Sequence, residues 1–286
     1  MHKYERYKKE KIIQEGAYGV IWKSLDKETN QYVALKQCSS NDITTQRELK
    51  AFQSLNHPHI IRLLDFFTHS FDQYFVLELA SNDLQTIISN EGPQNLDFIR
   101  KFMKELFETL DYIHSQGFIH RDIKTSNIVF IDSKENMKLI DFGLCRPIDG
   151  PDLTPNRCTY QYEPLDCLLG FDNYNQKLDI WSAGCIFGEL ILGKPLFNGD
   201  GQLQIVIKII ELLGTPNVKD WPESSDISYF QHYQLPEYPR TLEKVVPPNF
   251  DPLALDLLSK CLEYSQSKRI TAAEALKHPF FESLKQ

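Results

Sequence analysis

The chain has 286 residues, 42% of them hydrophobic, with 13 Gly and 15 Pro. That length predicts about two domains or lobes, and the composition is globular and excludes a collagenous or low-complexity chain. Its 31 basic and 39 acidic residues leave a net charge of −8, spread along the chain, which argues against the basic stripe of a general nucleic-acid binder.

The first residues, MHKYERYKKEKII, are too charged for a signal peptide. No apolar run reaches the roughly 18–20 residues that a membrane helix needs. The longest runs, 185–197 and 203–213, are interrupted by Glu189, Lys194, Lys208 and Glu211. Six Cys at irregular spacing, with no C-x-x-C, argue against a disulfide framework or a zinc site. The expected compartment is reducing: cytoplasm or nucleus.

Before residue 80 short β-like runs dominate. Residues 11–21 are broken by Gly16 and Gly19, 31–36 carry Tyr32, Val33 and Leu35, and 60–67 and 74–79 are apolar with branched or aromatic side chains. These predict strands of an antiparallel sheet. The polar stretch 42–54, with Ile43, Leu49 and Phe52, predicts one helix among them, capped by Asn41 or Asp42. Beyond residue 80 helical periodicity takes over. Ile99, Phe102, Met103, Leu106, Leu110 and Ile113 step by three and four, a buried helix face. Residues 178–192, 203–213, 252–262 and 271–277 read the same way. A small β-rich part followed by a larger helical part is an α+β arrangement.

Four motifs follow one another in a fixed order. Glu15-Gly16-Ala17-Tyr18-Gly19-Val20 sits in a strand–turn–strand context, where glycines let backbone N–H groups approach phosphate oxygens. Val33-Ala34-Leu35-Lys36 puts an ammonium on one face of a strand, within reach of phosphate and of an acid on the short helix, for which Glu48 is the candidate. His120-Arg121-Asp122-Ile123-Lys124-Thr125-Ser126-Asn127 gathers a carboxylate, an ammonium and an amide in one loop. A carboxylate accepts a proton from a hydroxyl, an ammonium neutralises a transferring phosphoryl group, and an amide oxygen ligates magnesium. Asp141-Phe142-Gly143 follows a strand-like run and offers a further hard oxygen ligand.

This ordered set resembles the signature of the eukaryotic protein kinases. The resemblance spans about residues 4–281 as one kinase domain, with an N-lobe at 4–79 and a C-lobe at 80–281. Leu-Leu-Gly-Thr-Pro at 212–216, Trp221-Pro222, Lys-Val-Val-Pro-Pro at 244–248 and Asp-Ile-Trp-Ser-Ala-Gly-Cys at 179–185 resemble the cyclin-dependent kinases, and the C-lobe is similar to the cell-cycle-related kinase branch. It implies a bilobal α+β fold, with a β-rich N-lobe carrying one regulatory helix and a larger helical C-lobe.

The resemblance also implies a serine/threonine kinase that uses ATP and Mg2+ on protein substrates. Lys36, fixed by Glu48, would hold the α- and β-phosphates, Asp122 would be the catalytic base, and Lys124 would contact the γ-phosphate. Asn127 and Asp141 would hold magnesium. Glu78 to Ala80 would form the adenine-binding hinge. Ile13, Val20, Ala34 and Val129 would sandwich the purine, Asp83 would reach the ribose, and Gly16 and Gly19 would cover the phosphates. Lys124 together with Thr159 matches the serine/threonine class. Thr154 falls at the activating phosphosite, implying an activating kinase, and Arg47, Arg121 and Arg146 match the phosphate-binding positions. Tyr18 matches an inhibitory tyrosine, although its threonine neighbour is Ala17 here.

The chain departs from the family in places. Gln14 stands where the first loop glycine is expected. Gln46 replaces the apolar residue that would be buried against a cyclin, a burial worth about 1.5–3 kcal/mol, which argues against a cyclin partner in the usual mode. Glu163 replaces an arginine that supports selection of proline after the phosphoacceptor, so a weaker or a basic preference is expected. Asp166 can still pair with Arg269, which matches the family's C-lobe arginine. The alternative reading is a kinase-fold scaffold that binds ATP or a partner without efficient transfer. No nucleic acid or membrane partner is expected.

Overall fold

The computed structural model describes residues 3–16, 19–40, 42–148, 159–171, 174–217, 219, 221–227, 236–248 and 250–285. The chain divides into two units, residues 1–84 with 127–146, and residues 85–126 with 147–286.

The first unit is built on an antiparallel sheet in the order β1-β2-β3-β5-β4. Its strands are β1 (Tyr7–Gly16), β2 (Gly19–Asp26), β3 (Gln31–Ser39), β4 (Leu63–His69) and β5 (Asp72–Glu78), preceded by one helical turn, α1 (Lys3–Arg6). Side chains alternate across a strand, and the two faces are cleanly sorted. Val33, Leu35, Tyr74 and Val76 join Tyr7 and Phe67 on one face. Cys38, Phe75 and Leu77, with Ala34 packed against them, line the other. Leu49 and Phe52 of α2 (Ile43–Ser54) pack on that second face. Of the two caps expected for α2, Asp42 is the one used, accepting from Thr44 N at 2.9 Å.

The run 60–67 is only partly a strand. Strand β4 starts at Leu63, while Ile60 bridges to Leu139 and Ile61 N donates to Leu139 O. The apolar residues ahead of β4 are buried for that contact, so their hydrophobicity imitates a longer strand. The hairpin β8 (Ile128–Asp132) and β9 (Glu135–Leu139) joins the first unit through this bridge and through β6 (Asn82–Asp83), which pairs with β8.

The second unit is helical. It carries most of α3 (Leu84–Glu91), then α4 (Leu96–Ser115), the short strand β7 (Phe118–Ile119), α5 (Leu165–Leu168), α6 (Lys177–Leu192), α7 (Gln202–Leu213), α8 (Pro252–Cys261) and α9 (Ala272–Ala275). All six residues of the expected α4 stripe are buried. Asn95 caps that helix from its side chain. Helix α6 is buried from Leu178 to Ile191 and packs on α4 and α8. A helix apolar on every side belongs at the centre of a domain. Among the described residues no helix is long and apolar enough to cross a membrane.

Candidate active site

In the first unit the alternation of β3 sends Lys36 to the face covered by α2. Helix α2 buries Thr45, Glu48 and Ala51, spaced by three. The Lys36 ammonium donates to Glu48 Oε2 at 2.6 Å and Oε1 at 2.8 Å. It also lies 3.5 Å from Asp141 Oδ1. Burial works against charge on both partners of the inner pair, but Glu48 and Asp141 outweigh it and hold Lys36 charged, above its ordinary range. Two short charge-assisted bonds make the Lys36–Glu48 pair ionic. Phe142 is fully buried beside Phe52 of α2, with ring centroids 5.6 Å apart, so the Asp141-Phe142-Gly143 turn is packed under the helix that bears Glu48.

Asp141 holds a left-handed φ of 63°, costly for a non-glycine and found where a side chain must be aimed. Asn127 is its near neighbour, because Asn127 O accepts from Ile140 N at 3.0 Å. A carboxylate and an amide oxygen are donors suited to magnesium.

Ala34, Ala80 and Val129 fall in one hydrophobic cluster, an apolar wall of small and branched side chains. Val129 stands opposite Asp83 in the β6–β8 pairing. Ile13 is half exposed and Val20 half-buried. The Glu78 carboxylate takes Arg62 by a backbone bond of 3.2 Å and an ion pair of 3.2 Å, and Glu78 N donates to Arg62 O. Gly16 and Gly19 pair across the end of the β1–β2 hairpin. Gly19 has φ +129°, and a Cβ there would lie 2.0 Å from Gln37 O, so only glycine fits. Gly16 faces open space.

In the second unit, Asp122 Oδ2 accepts from Lys124 Nζ at 2.8 Å. The loop around them is held from α6. Asp179 accepts from His120 N at 3.0 Å, from Arg121 N at 2.9 Å and from His114 Nε2 at 2.9 Å. Burial alone would raise the Asp179 pKa, but these donors hold it below the usual carboxylate range. Arg121, buried over the Tyr174 ring at 5.4 Å, has a left-handed φ of 72°. Asp179 and His114 were not singled out from sequence as site residues. The available signal was a carboxylate near the start of a largely apolar helix, which requires buried donors.

Thr159 is not drawn into the Asp122–Lys124 pair: it is exposed, and its carbonyl accepts from Tyr162 N at 2.9 Å. Glu163 is 3% exposed, a buried acid where the resemblance implies an arginine. Burial, reinforced by Asp166 and opposed by Arg121, pushes its carboxyl up to about 8. Asp166 and Arg269 share no direct hydrogen bond, although the Asp166 charge acts on the guanidinium. Asp166 Oδ2 accepts from Gln266 Nε2 at 2.8 Å, whereas the Arg269 guanidinium donates to the carbonyls of Glu263, Tyr264 and Lys177. Arg47 and Arg146 are half-buried in the first unit, and Arg121 belongs to the second. Thr154 and Tyr18 lie outside the described residues.

A family model described as "Protein kinase domain" matches residues 7–281. The chain is a protein kinase. Among curated relatives it is 37% identical over 282 residues to "Probable cyclin-dependent kinase 10" of Dictyostelium discoideum, covering 94% of this chain and 77% of that one. It is 36% identical over 294 residues to "Cyclin-dependent kinase 1" of Encephalitozoon cuniculi, covering 98% of each. It is 35% identical over 283 residues to "Serine/threonine-protein kinase ppk23" of Schizosaccharomyces pombe, covering 94% of this chain and 70% of the relative. This kinase is cyclin-dependent-kinase-like and of the serine/threonine class. The β-rich unit with its five-stranded sheet and the helical unit are the α+β parts of that fold.

Proposed function

We propose that this kinase transfers the γ-phosphoryl group of ATP to serine or threonine hydroxyls of protein substrates. The observation that carries the reading is the closed Lys36–Glu48 ion pair with Asp141 beside it. Phosphoryl transfer asks the protein mainly for positioning and charge stabilisation. Lys36 holds the α- and β-phosphates, its ammonium fixed by Glu48. Asp122 accepts the proton of the substrate hydroxyl as the oxygen attacks phosphorus, and Lys124 neutralises the transferring group. Ala34, Ala80 and Val129 give the purine an apolar wall, Ile13 and Val20 add to it, Asp83 reaches the ribose, and the backbone at Glu78 and Ala80 reads the adenine edge. The donor set of Asn127 and Asp141 fits magnesium, which when bound neutralises phosphate charge.

Activation by phosphorylation of Thr154 through Arg47, Arg121 and Arg146, and restraint at Tyr18, belong to the same reading. So does a cytoplasmic or nuclear setting, supported by the irregular spacing of the six Cys, with no C-x-x-C. The exposed Gln46 supports an activator other than a cyclin bound in the usual mode.

The test is transfer from radiolabelled Mg-ATP to a basic protein substrate. Wild type transfers label, and D122N loses at least about a hundredfold in rate with ATP affinity retained. Equal, background-level labelling by wild type and D122N would remove the reading and leave a kinase-fold scaffold.

A further inference from the structure

Thr125 sits one residue beyond Lys124, and the chemistry above gives it no part. Its hydroxyl is nevertheless built into a buried chain of hydrogen bonds. Thr125 Oγ1 lies 2.9 Å from Tyr162 Oη, and Tyr162 Oη donates to Glu189 Oε2 at 2.7 Å. Thr125 Oγ1 is also 3.5 Å from Glu189 Oε1. Thr125, Tyr162 and Glu189 are 1%, 7% and 3% exposed, so water does not compete. A phenol has one proton to give. Once it goes to the Glu189 carboxylate, the phenol oxygen must accept from Thr125, so the chain runs Thr125 to Tyr162 to Glu189.

Tyr162 is anchored twice to α6. Its side chain reaches Glu189, and its carbonyl accepts from Ser182 Oγ at 2.7 Å. Asp179, on the same helix, holds the amides of His120 and Arg121. Helix α6 therefore grips the loop 120–125 at both ends, directly at His120 and Arg121 and through Tyr162 at Thr125. Asp122 and Lys124 lie between these two points.

We propose that Thr125 is a positioning residue, whose hydroxyl couples the placement of Asp122 and Lys124 to the segment 159–168 through Tyr162. The proposal rests on the phosphoryl-transfer reading, because Asp122 and Lys124 take their roles from it. Threonine suits this position because its hydroxyl donates from a buried site. Valine keeps the shape and removes only the donor. A displacement of about 1 Å at a reacting group costs up to about a hundredfold in rate, so loss of one of two grips should cost about tenfold.

The experiment compares T125V, T125S, Y162F and the T125V/Y162F double variant in the full chain. Steady-state kinetics with Mg-ATP and a basic protein substrate are read beside deuterium exchange of peptides 120–127 and 159–168 without ligand. T125V should lower kcat about tenfold with the ATP KM within twofold, and T125S should restore it. Y162F should match T125V, and the double variant should lose no more than either, because all remove the same tie. T125V should also speed exchange in both peptides. Wild-type kcat and exchange in T125V, or losses that multiply in the double variant, overturn the proposal. If the wild type transfers no phosphate, the phosphoryl-transfer reading has failed, and the exchange comparison still decides whether the tie exists.

Discussion

Asp179 holds Arg121 in its strained conformation: one carboxylate oxygen accepts from Arg121 N at 2.9 Å while the other takes His120 N at 3.0 Å. A non-glycine residue at φ 72° costs about 1–3 kcal/mol and persists only when its surroundings over-determine it. Here the surroundings are a buried carboxylate in the first turn of α6, where a negative charge also suits the helix dipole. A side chain nearly sixty residues away in sequence therefore sets the backbone on which Asp122 is presented.

Asp179→Ala should then be damaging in two ways. It strips two loop amides and His114 of their acceptor, which should cost about 3–5 kcal/mol in stability, measured by urea denaturation. Phosphotransfer should fall with it. In the wild type the Asp179 carboxyl lies below the usual range, so its contribution is fully present above the ordinary aspartate pKa of about 4 and is lost as pH falls through the lower folded value. An acid titration of stability in which Asp179→Ala loses no slope would contradict this account.

Glu163 should act with the opposite sign. Its folded pKa of about 8 stands above the ordinary glutamate value of 4.5, so the folded state keeps a proton that the unfolded chain releases. Stability therefore falls as pH rises from about 4.5 to about 8 and levels off above that. Glu163→Gln removes this slope. Thermal melts should show the variant close to wild type near pH 5 and clearly more stable near pH 8.5. Parallel curves for the two proteins across that span would rule the buried acid out as the cause.

The hairpin glycines separate by geometry. Gly19→Ala forces a Cβ to within 2.0 Å of the Gln37 carbonyl at a φ of +129°, so the β2–β3 edge must shift. Its Tm should drop by several degrees, since about 1 kcal/mol moves the Tm of a domain of this size by roughly 2–4 °C. Gly16→Ala meets open space and should leave the Tm in place. Equal effects of the two substitutions would show that the hairpin end relaxes freely.

Arg269→Lys tests whether a charge or a fork is needed. The buried guanidinium serves three carbonyls, those of Glu263, Tyr264 and Lys177, and stacks over Trp181 at 5.0 Å. A lysine supplies one point of charge and cannot reproduce that planar arrangement. The variant should lose about 2 kcal/mol or more, the cost of leaving buried carbonyls without donors. Urea midpoints close to wild type would mean that the charge alone suffices.

Much of the first unit was legible from residue order because its determinants are local. The alternation of Val33-Ala34-Leu35-Lys36 puts Lys36 on one strand face, and a helix twelve residues on offers Glu48. The α4 stripe was readable from the same kind of periodicity. The run 60–67 misled because an apolar residue buried for a bridge to Leu139 looks like one buried in a ladder. Asp166 acts on Arg269 by charge and not by a direct bond, since the contact partner of a buried charge depends on which groups packing delivers, and packing delivered Gln266.

The order of the motifs by itself determined the class, a protein kinase: two glycines in a turn, Lys36 with an acid, Asp122 and Lys124 close together in one loop, and Asp141 before a glycine. Their spacing is a property of the chain before it folds. What only the tertiary structure decided is how those groups are held. Asp179 and Glu189 on α6, and Tyr162 between α6 and Thr125, are joined to the loop 120–125 across tens of residues. A sequence shows that a buried carboxylate must be satisfied, but the donor that satisfies it is chosen by the packing of segments distant in the chain.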